Sequence, residues 1–168
     1  MLAFVTVGTF GFDALIQTVL SPPVLNALQT HGYSHLVVQC GTSFDLAARA
    51  TEHTAVPGLA VELFAKKPSL AADFQRADLV IGHAGAGTIL DVLRLAKPLI
   101  VVPNETLLHN HQAELASALA ASGHLRTSSI AELAETISTF DPGALMRFEP
   151  FDGSRFRALV DSEMGFSL

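Results

Sequence analysis

The chain has 168 residues, enough for one domain whose core can fold without disulfides or a structural metal. Hydrophobic residues make up 49% of the sequence and charged residues 15%, so intrinsic disorder is excluded. Lys and Arg number 10 against 16 Asp and Glu, a formal net charge of −6. With no basic cluster, this charge argues against nucleic-acid binding and against attraction to an anionic membrane.

The single cysteine, Cys40, has no partner for an internal disulfide, which indicates a reducing compartment. Cys40 follows an apolar run, and we interpret it as a packing residue rather than a nucleophile. The first residues lack the basic region of a signal peptide, and no apolar run approaches the ~20 residues that span a bilayer. We therefore expect a cytoplasmic domain.

Five short apolar runs predict strands, at residues 3–7, 35–39, 58–64, 78–81 and 98–102. Their apolar residues are consecutive rather than alternating, which is typical of strands buried on both faces of a parallel sheet. Amphipathic stretches between and after them predict helices at 12–28, 69–76, 87–95, 109–122 and 129–140, the first interrupted at Pro22-Pro23.

This alternation predicts an α/β fold, with a Rossmann-like, doubly wound and mostly parallel sheet. We assign it to residues 1–143. Residues 144–168 form a separate C-terminal tail that is rich in Phe.

The sharpest local signal is Gly85-Ala86-Gly87-Thr88, between the fourth strand and a helix. Glycines allow backbone N–H groups to approach an anion, and the positive end of the helix points to the same place. The loop is therefore either a diphosphate site or a tight turn without a ligand. It is not a dinucleotide fingerprint, because Leu90 stands where the third glycine belongs.

Asp91 lies one helical turn after Gly87 and can line the same pocket mouth. Its carboxylate either accepts hydrogen bonds from ribose hydroxyls or complements the helix dipole. His109 and His111, with His83, are conceivable metal ligands. However, side chains at an H-x-H spacing on a helix point about 200° apart, so we expect no metal site.

Residues 77–104 and 108–116 together resemble glycosyltransferase family 28, and residues 4–9 resemble the family's first strand and loop. Within the family, the chain is most similar to the eukaryotic branch that acts in asparagine-linked glycosylation. The resemblance implies the donor-binding half of a two-domain GT-B glycosyltransferase. In that branch this half binds UDP-GlcNAc, and a separate membrane-anchored subunit binds the acceptor.

The reaction implied by the resemblance adds the second GlcNAc to GlcNAc-diphosphodolichol, with inversion, on the cytosolic face of the endoplasmic reticulum. The partner would recruit the chain there and supply the general base, so no catalytic residue is assigned in this chain. No metal or other cofactor is expected.

The resemblance also implies the residues that bind the donor. Gly8 and Thr9 match a phosphate-facing loop, the loop from His83 to Thr88 matches the diphosphate loop, and Asp91 matches a ribose ligand. Asn110, His111 and Gln112 align with residues that hold the sugar hydroxyls. The full donor-binding set is Gly8, Thr9, His83, Gly85, Gly87, Thr88, Asp91, Asn104, Asn110, His111 and Gln112.

The tail resembles the family segment that docks onto the membrane-anchored subunit. Its predicted docking residues are Phe148, Phe151, Phe156, Leu159 and Val160. The alternative is a final helix that packs on its own domain. For the whole chain, the alternatives to a donor-binding catalytic subunit are a self-sufficient, non-catalytic nucleotide-binding regulatory module and, less favoured, a small Rossmann-like oxidoreductase.

Overall fold

The computed structural model describes residues 1–9, 11–52, 54, 56–104, 111–149 and 152–165, without the side chains of His111, Gln112 and Arg155. The strands are Leu2–Thr6 (β1), His35–Gln39 (β2), Ala60–Phe64 (β3), Leu79–His83 (β4), Leu99–Val102 (β5) and Arg126–Thr127 (β6). They form one sheet in the order β3-β2-β1-β4-β5-β6, and every neighbouring pair is parallel.

The helices are Asp13–Val19 (α1), Pro22–Thr30 (α2), Phe44–Thr51 (α3), Ala71–Arg76 (α4), Ala86–Arg94 (α5), His111–Ala121 (α6), Leu133–Thr139 (α7) and Ser154–Glu163 (α8). Short 3₁₀ turns cover Gly41–Ser43 and Pro142–Ala144. Within the described ranges, none of the helices has the length and apolar content needed to cross a membrane.

Alternate residues of each central strand enter two cores on opposite faces of the sheet. Val5, Val38 and Ile81 lie in a core covered by α1, α2, α3 and α7. Phe4 and Val80 lie in the other, covered by α4, α5 and α6. Both faces of the sheet are thus shielded from solvent by helices, which explains why the apolar residues of each strand are consecutive. The predicted doubly wound parallel sheet is confirmed.

The strand order reverses between β1 and β4, with Thr6 paired opposite Gly82. In open parallel sheets, ligands bind at the carboxyl ends of the strands beside such a switch point. This relationship brings together two loops that are far apart in the sequence, the loop after β1 and the loop after β4.

Several elements differ from the sequence prediction. The predicted helix at 12–28 is two helices, with α2 beginning at Pro22, where the missing N–H of proline costs no hydrogen bond. α3 and β6 were not predicted. α7 begins at Leu133, later than expected, although the Ser129 hydroxyl donates to the Glu132 carboxylate at 2.8 Å and accepts from the Glu132 N–H at 3.2 Å, as at a helix start.

The tail divides into two parts. The Met146 backbone N–H donates to the Gly123 carbonyl at 2.8 Å, and the Phe148 ring meets His124 edge to face at 5.4 Å. The segment leading to Phe148 therefore packs on the domain. α8 is different, because Phe156, Leu159 and Met164 are 71%, 59% and 67% exposed.

Candidate functional site

Gln39 ties together the ends of β1, β2 and β3. Its amide nitrogen donates to the carbonyls of Gly8, at 2.9 Å, and Ala65, at 2.8 Å. Its amide oxygen accepts from the Thr6 hydroxyl at 2.6 Å and from the Gly8 N–H at 3.1 Å. Because Gln39 and Thr6 are buried, this network fixes the loop that follows β1.

The imidazole of His83 fills the space between the two glycine loops of the switch point. Gly8 has a φ of +74°, and a Cβ there would lie 2.6 Å from Cε1 of His83. A Cβ on Gly85 would collide with Nε2 of the same ring. A side chain at either position would therefore have to displace the imidazole, which glycine avoids.

Burial sets the electrostatics of His83. Desolvation lowers the pKa of the imidazole, and the backbone of Thr6 opposes that shift in part. Nδ1 is buried and has no hydrogen-bond partner among the residues that the structure describes. The ring is therefore neutral at pH 7 and keeps an unused polar atom at the switch point.

The amino terminus of α5 lies at the same switch point, between the ends of β1 and β4. Gly85 is its N-cap, and as a glycine it offers no side chain to cap the helix. A Cβ on Gly87 would meet no described atom within 4 Å, so this position in the first turn is open among the residues that the structure describes. Free N–H groups and the positive end of the helix dipole make this turn suitable for an anion.

Two adjoining cavities form a groove along this edge of the sheet, and both are lined by Leu70 and Thr88. The cavity of about 250 Å³ is lined by Gly8, Thr9, Gln39, Lys66, Lys67, Leu70 and Thr88. The other, of about 530 Å³, is lined by Pro68, Ser69, Leu70, Ala71, Phe74, Thr88, Asp91, Arg94 and Leu95. The larger cavity has the size of small-molecule sites, roughly 300–1,000 Å³.

Asp91 faces this groove from beyond the first turn of α5. The helix begins at Ala86 and has no acidic residue in its first turn. Asp91 therefore lies beyond the turn within which the helix dipole mainly acts, and both interpretations of its role stay predictions. Its exposed carboxylate stands beside Thr88 in the larger cavity.

Of the remaining predicted donor residues, the structure gives a side-chain location only for Asn104. Asn104 lines a separate cavity of about 440 Å³ with Gly11, Asp13 and Thr42. Asn110 lies outside the described residues. His111 and Gln112 begin α6, but their side chains are not described. The predicted sugar contacts therefore stay predictions.

The sequence prediction missed Gln39, Lys66 and Lys67, which the structure places in the groove. Their position in the sequence could have indicated them, because Gln39 is the last residue of β2 and the two lysines closely follow β3, at the edge of the sheet where ligands bind. The predicted site residues came only from the loops after the first, fourth and fifth strands, so the ends of β2 and β3 contributed none.

The remaining candidates for chemistry are the thiol of Cys40 and a metal-binding cluster. Cys40 is fully buried, and burial raises the pKa of its thiol to about 11, which disfavours the thiolate. In the described part of the chain, no three His, Cys, Asp or Glu side chains are grouped so that they could hold a metal ion.

The predicted docking residues fall into different environments. Phe156, Leu159 and Val160 are exposed on α8, at a spacing that places them on one helix face. Phe148 is half-buried on its own domain. Phe151 lies outside the described residues.

A parallel sheet of this order, with a glycine-rich loop and a helix N-terminus at its switch point, defines the Rossmann-like class of nucleotide-binding folds. The chain belongs to the glycosyltransferase family 28 C-terminal domain family, whose profile matches residues 2–160. The family resemblance drawn from the sequence is confirmed.

Two relatives illustrate the match. The UDP-N-acetylglucosamine transferase subunit ALG13 of Homo sapiens is 44% identical over 122 residues, covering 73% of this chain. The chain spans only 10% of that relative's length. The protein of the same name from Cryptococcus neoformans is 32% identical over 191 residues, covering 96% of both chains.

Solved structures agree with the fold. An NMR solution structure of ALG13 superposes with a TM-score of 0.67 at 26% identity, covering 94% of this chain and 93% of that one. The crystal structure of MurG from Acinetobacter baumannii gives a TM-score of 0.73 at 20% identity. The match covers 97% of this chain but 49% of MurG, so the fold corresponds to about half of that protein.

Proposed function

We propose that this chain is the donor-binding catalytic subunit of a heteromeric, inverting N-acetylglucosaminyltransferase, and that its donor is UDP-GlcNAc. The observation that carries the proposal is the meeting of the Gly8 loop, His83 and the open first turn of α5 at one switch point. The names of the relatives, which are UDP-N-acetylglucosamine transferase subunits, supply the sugar.

In this proposal the diphosphate lies between the Gly8–Thr9 loop and the first turn of α5. The N–H groups of that turn would donate to phosphate oxygens, and the Asp91 carboxylate would accept from the ribose hydroxyls. The space in front of Gly87 supports this placement, because a phosphate can approach the backbone there without displacing a side chain.

The transfer step follows from this placement. The 4-hydroxyl oxygen of GlcNAc-diphosphodolichol attacks the anomeric carbon of the donor, a new C–O bond forms, and the bond from that carbon to the diphosphate oxygen breaks. The hydroxyl proton goes to a general base of the partner, and UDP leaves. The helix N-terminus stabilises the charge that develops on the diphosphate, without a bound metal.

The acceptor half would come from a membrane-anchored partner that holds this chain at the cytosolic face of the endoplasmic reticulum. The exposed apolar face of α8 supports this part of the proposal. Phe156 and Leu159 form an apolar surface that is largely open to solvent, which is typical of residues that a partner buries.

A titration by protein NMR tests donor binding. The full chain would be titrated with UDP-GlcNAc, with UDP-glucose and NADH as controls. We expect shifts at Gly8–Thr9 and from Gly85 to Asp91 that are largest with UDP-GlcNAc. An NADH response at the same residues without a UDP-GlcNAc response would contradict the proposal and favour the oxidoreductase alternative.

A transfer assay separates the catalytic subunit from a regulatory module. The chain would be combined with the membrane-anchored subunit of the same organism, UDP-GlcNAc and a GlcNAc-diphospholipid. We expect product only when both subunits are present. Tight nucleotide binding without transfer in the reconstituted pair would favour the regulatory module.

A further inference from the structure

Two adjacent lysines follow β3, and the structure gives them different surroundings. The Lys67 ammonium lies 2.8 Å from a carboxylate oxygen of Asp73, which is buried, and 3.9 Å from the centre of the Phe64 ring. Its charge is therefore already balanced by a carboxylate and an aromatic face. Lys67 anchors the segment between β3 and α4 to the domain.

Lys66 has no such partner in the part of the chain that the structure describes. Its side chain is exposed and forms neither an ion pair nor a side-chain hydrogen bond with any residue in the described ranges. It lines the cavity of about 250 Å³ together with Gly8, Thr9 and Thr88. Lys67 lines the same cavity, but its ammonium is held by Asp73.

We infer that Lys66 supplies the positive charge that binds the diphosphate of the nucleotide, opposite the first turn of α5. The inference deepens the proposed function and rests on it, since it assigns the diphosphate to the cavity between the Gly8 loop and Lys66. A nucleoside diphosphate brings at least two negative charges into a chain whose own net charge is −6. An unpaired ammonium at that wall offsets the resulting repulsion.

The two lysines thus differ in role. Lys66 contacts the diphosphate directly, whereas Lys67 donates a hydrogen bond to Asp73 and so positions the segment between β3 and α4. Loss of Lys66 should therefore change binding without changing stability. Loss of Lys67 should change stability, because Asp73 would remain buried without its cation.

The test compares UDP with uridine, which lacks the diphosphate. Affinities of the full chain for both would be measured by NMR titration for the wild type, for Lys66→Met and for Arg76→Met. Arg76 is an exposed cation at the carboxyl end of α4, away from the groove, so its variant makes the same change in net charge. Thermal unfolding of each variant would be recorded in parallel.

We expect Lys66→Met to weaken UDP binding by about five- to tenfold and to leave uridine binding and the unfolding temperature unchanged. Its UDP affinity should also depend less steeply on salt than that of the wild type. Arg76→Met should match the wild type, and Lys66→Arg should retain most of the UDP affinity.

The outcomes separate this inference from the proposed function. A wild type that prefers UDP to uridine, with the same preference in Lys66→Met, would overturn the role of Lys66 and leave the proposed function intact. A wild type that binds neither UDP nor UDP-GlcNAc would overturn the proposed function, and this inference with it.

Discussion

Gly8 and His83 are in such close contact that a Cβ at position 8 would lie 2.6 Å from Cε1 of the imidazole. A Gly8→Ala variant must therefore displace the ring and adopt a positive φ that alanine disfavours. We expect it to lose about 1–3 kcal/mol of unfolding free energy, measured by urea denaturation.

Gly58→Ala provides the matched control for Gly8→Ala. Gly58 has a φ of +86°, but among the described residues a Cβ there would meet only Gln29, at 3.9 Å. This variant carries the backbone strain without the collision and should lose less stability. Equal losses in the two variants would show that the His83 ring does not constrain position 8.

Gly87→Ala separates binding from folding. A methyl group at this position would meet nothing within 4 Å in the part of the chain that the structure describes, and alanine favours the helix over glycine by roughly 0.5–1 kcal/mol. Stability should therefore stay the same or rise. UDP affinity should fall by at least about tenfold, because the methyl group occupies the space proposed for the diphosphate.

Calorimetric titration with UDP would measure this effect, and Gly87→Val should extend it. Undiminished UDP affinity in a folded Gly87→Val variant would be incompatible with a diphosphate on the first turn of α5.

His83 should make stability depend on pH. Burial lowers the pKa of His83 in the folded chain below its usual value near 6.5, so the unfolded chain binds more protons in the interval between the two values. Folding is then disfavoured as the pH falls below about 6.5, and the contribution of His83 is fully present above it.

Urea denaturation of the wild type and of His83→Gln at pH 7.5 and pH 5.5 would measure this contribution. We expect the wild type to lose more stability than the variant on acidification. Identical losses would mean that His83 titrates equally in both states.

The exposed face of α8 should serve assembly rather than folding. Phe156→Asp should leave the unfolding temperature unchanged, because the side chain is 71% exposed, yet it should abolish co-purification with the membrane-anchored subunit. Ala158→Asp adds the same charge on the opposite side of the helix and should retain the partner. A marked loss of stability in Phe156→Asp would instead indicate that α8 packs on its own domain.

The sequence was sufficient where local physics determined the structure. The run at residues 35–39 predicts β2 because consecutive apolar residues suit a strand that is buried on both faces. The glycines around His83 marked the loop before α5.

The sequence analysis did not predict α3, although Leu46 and Ala47 follow a helical pattern, because the stretch is short and ends without a clear stop signal. β6 carries no local signal, because its two residues are extended only through pairing with β5.

The sequence by itself therefore determined the α/β class, most of the strands and the glycine loop that follows β4. Only the tertiary structure decided that β4 lies beside β1, because strand order depends on packing between segments that are distant in the chain. That neighbourhood places the His83 ring against Gly8 and opens the groove beside α5. The tertiary structure also separated the two lysines, because only the path of the chain between β3 and α4 shows that Lys67, and not Lys66, reaches Asp73.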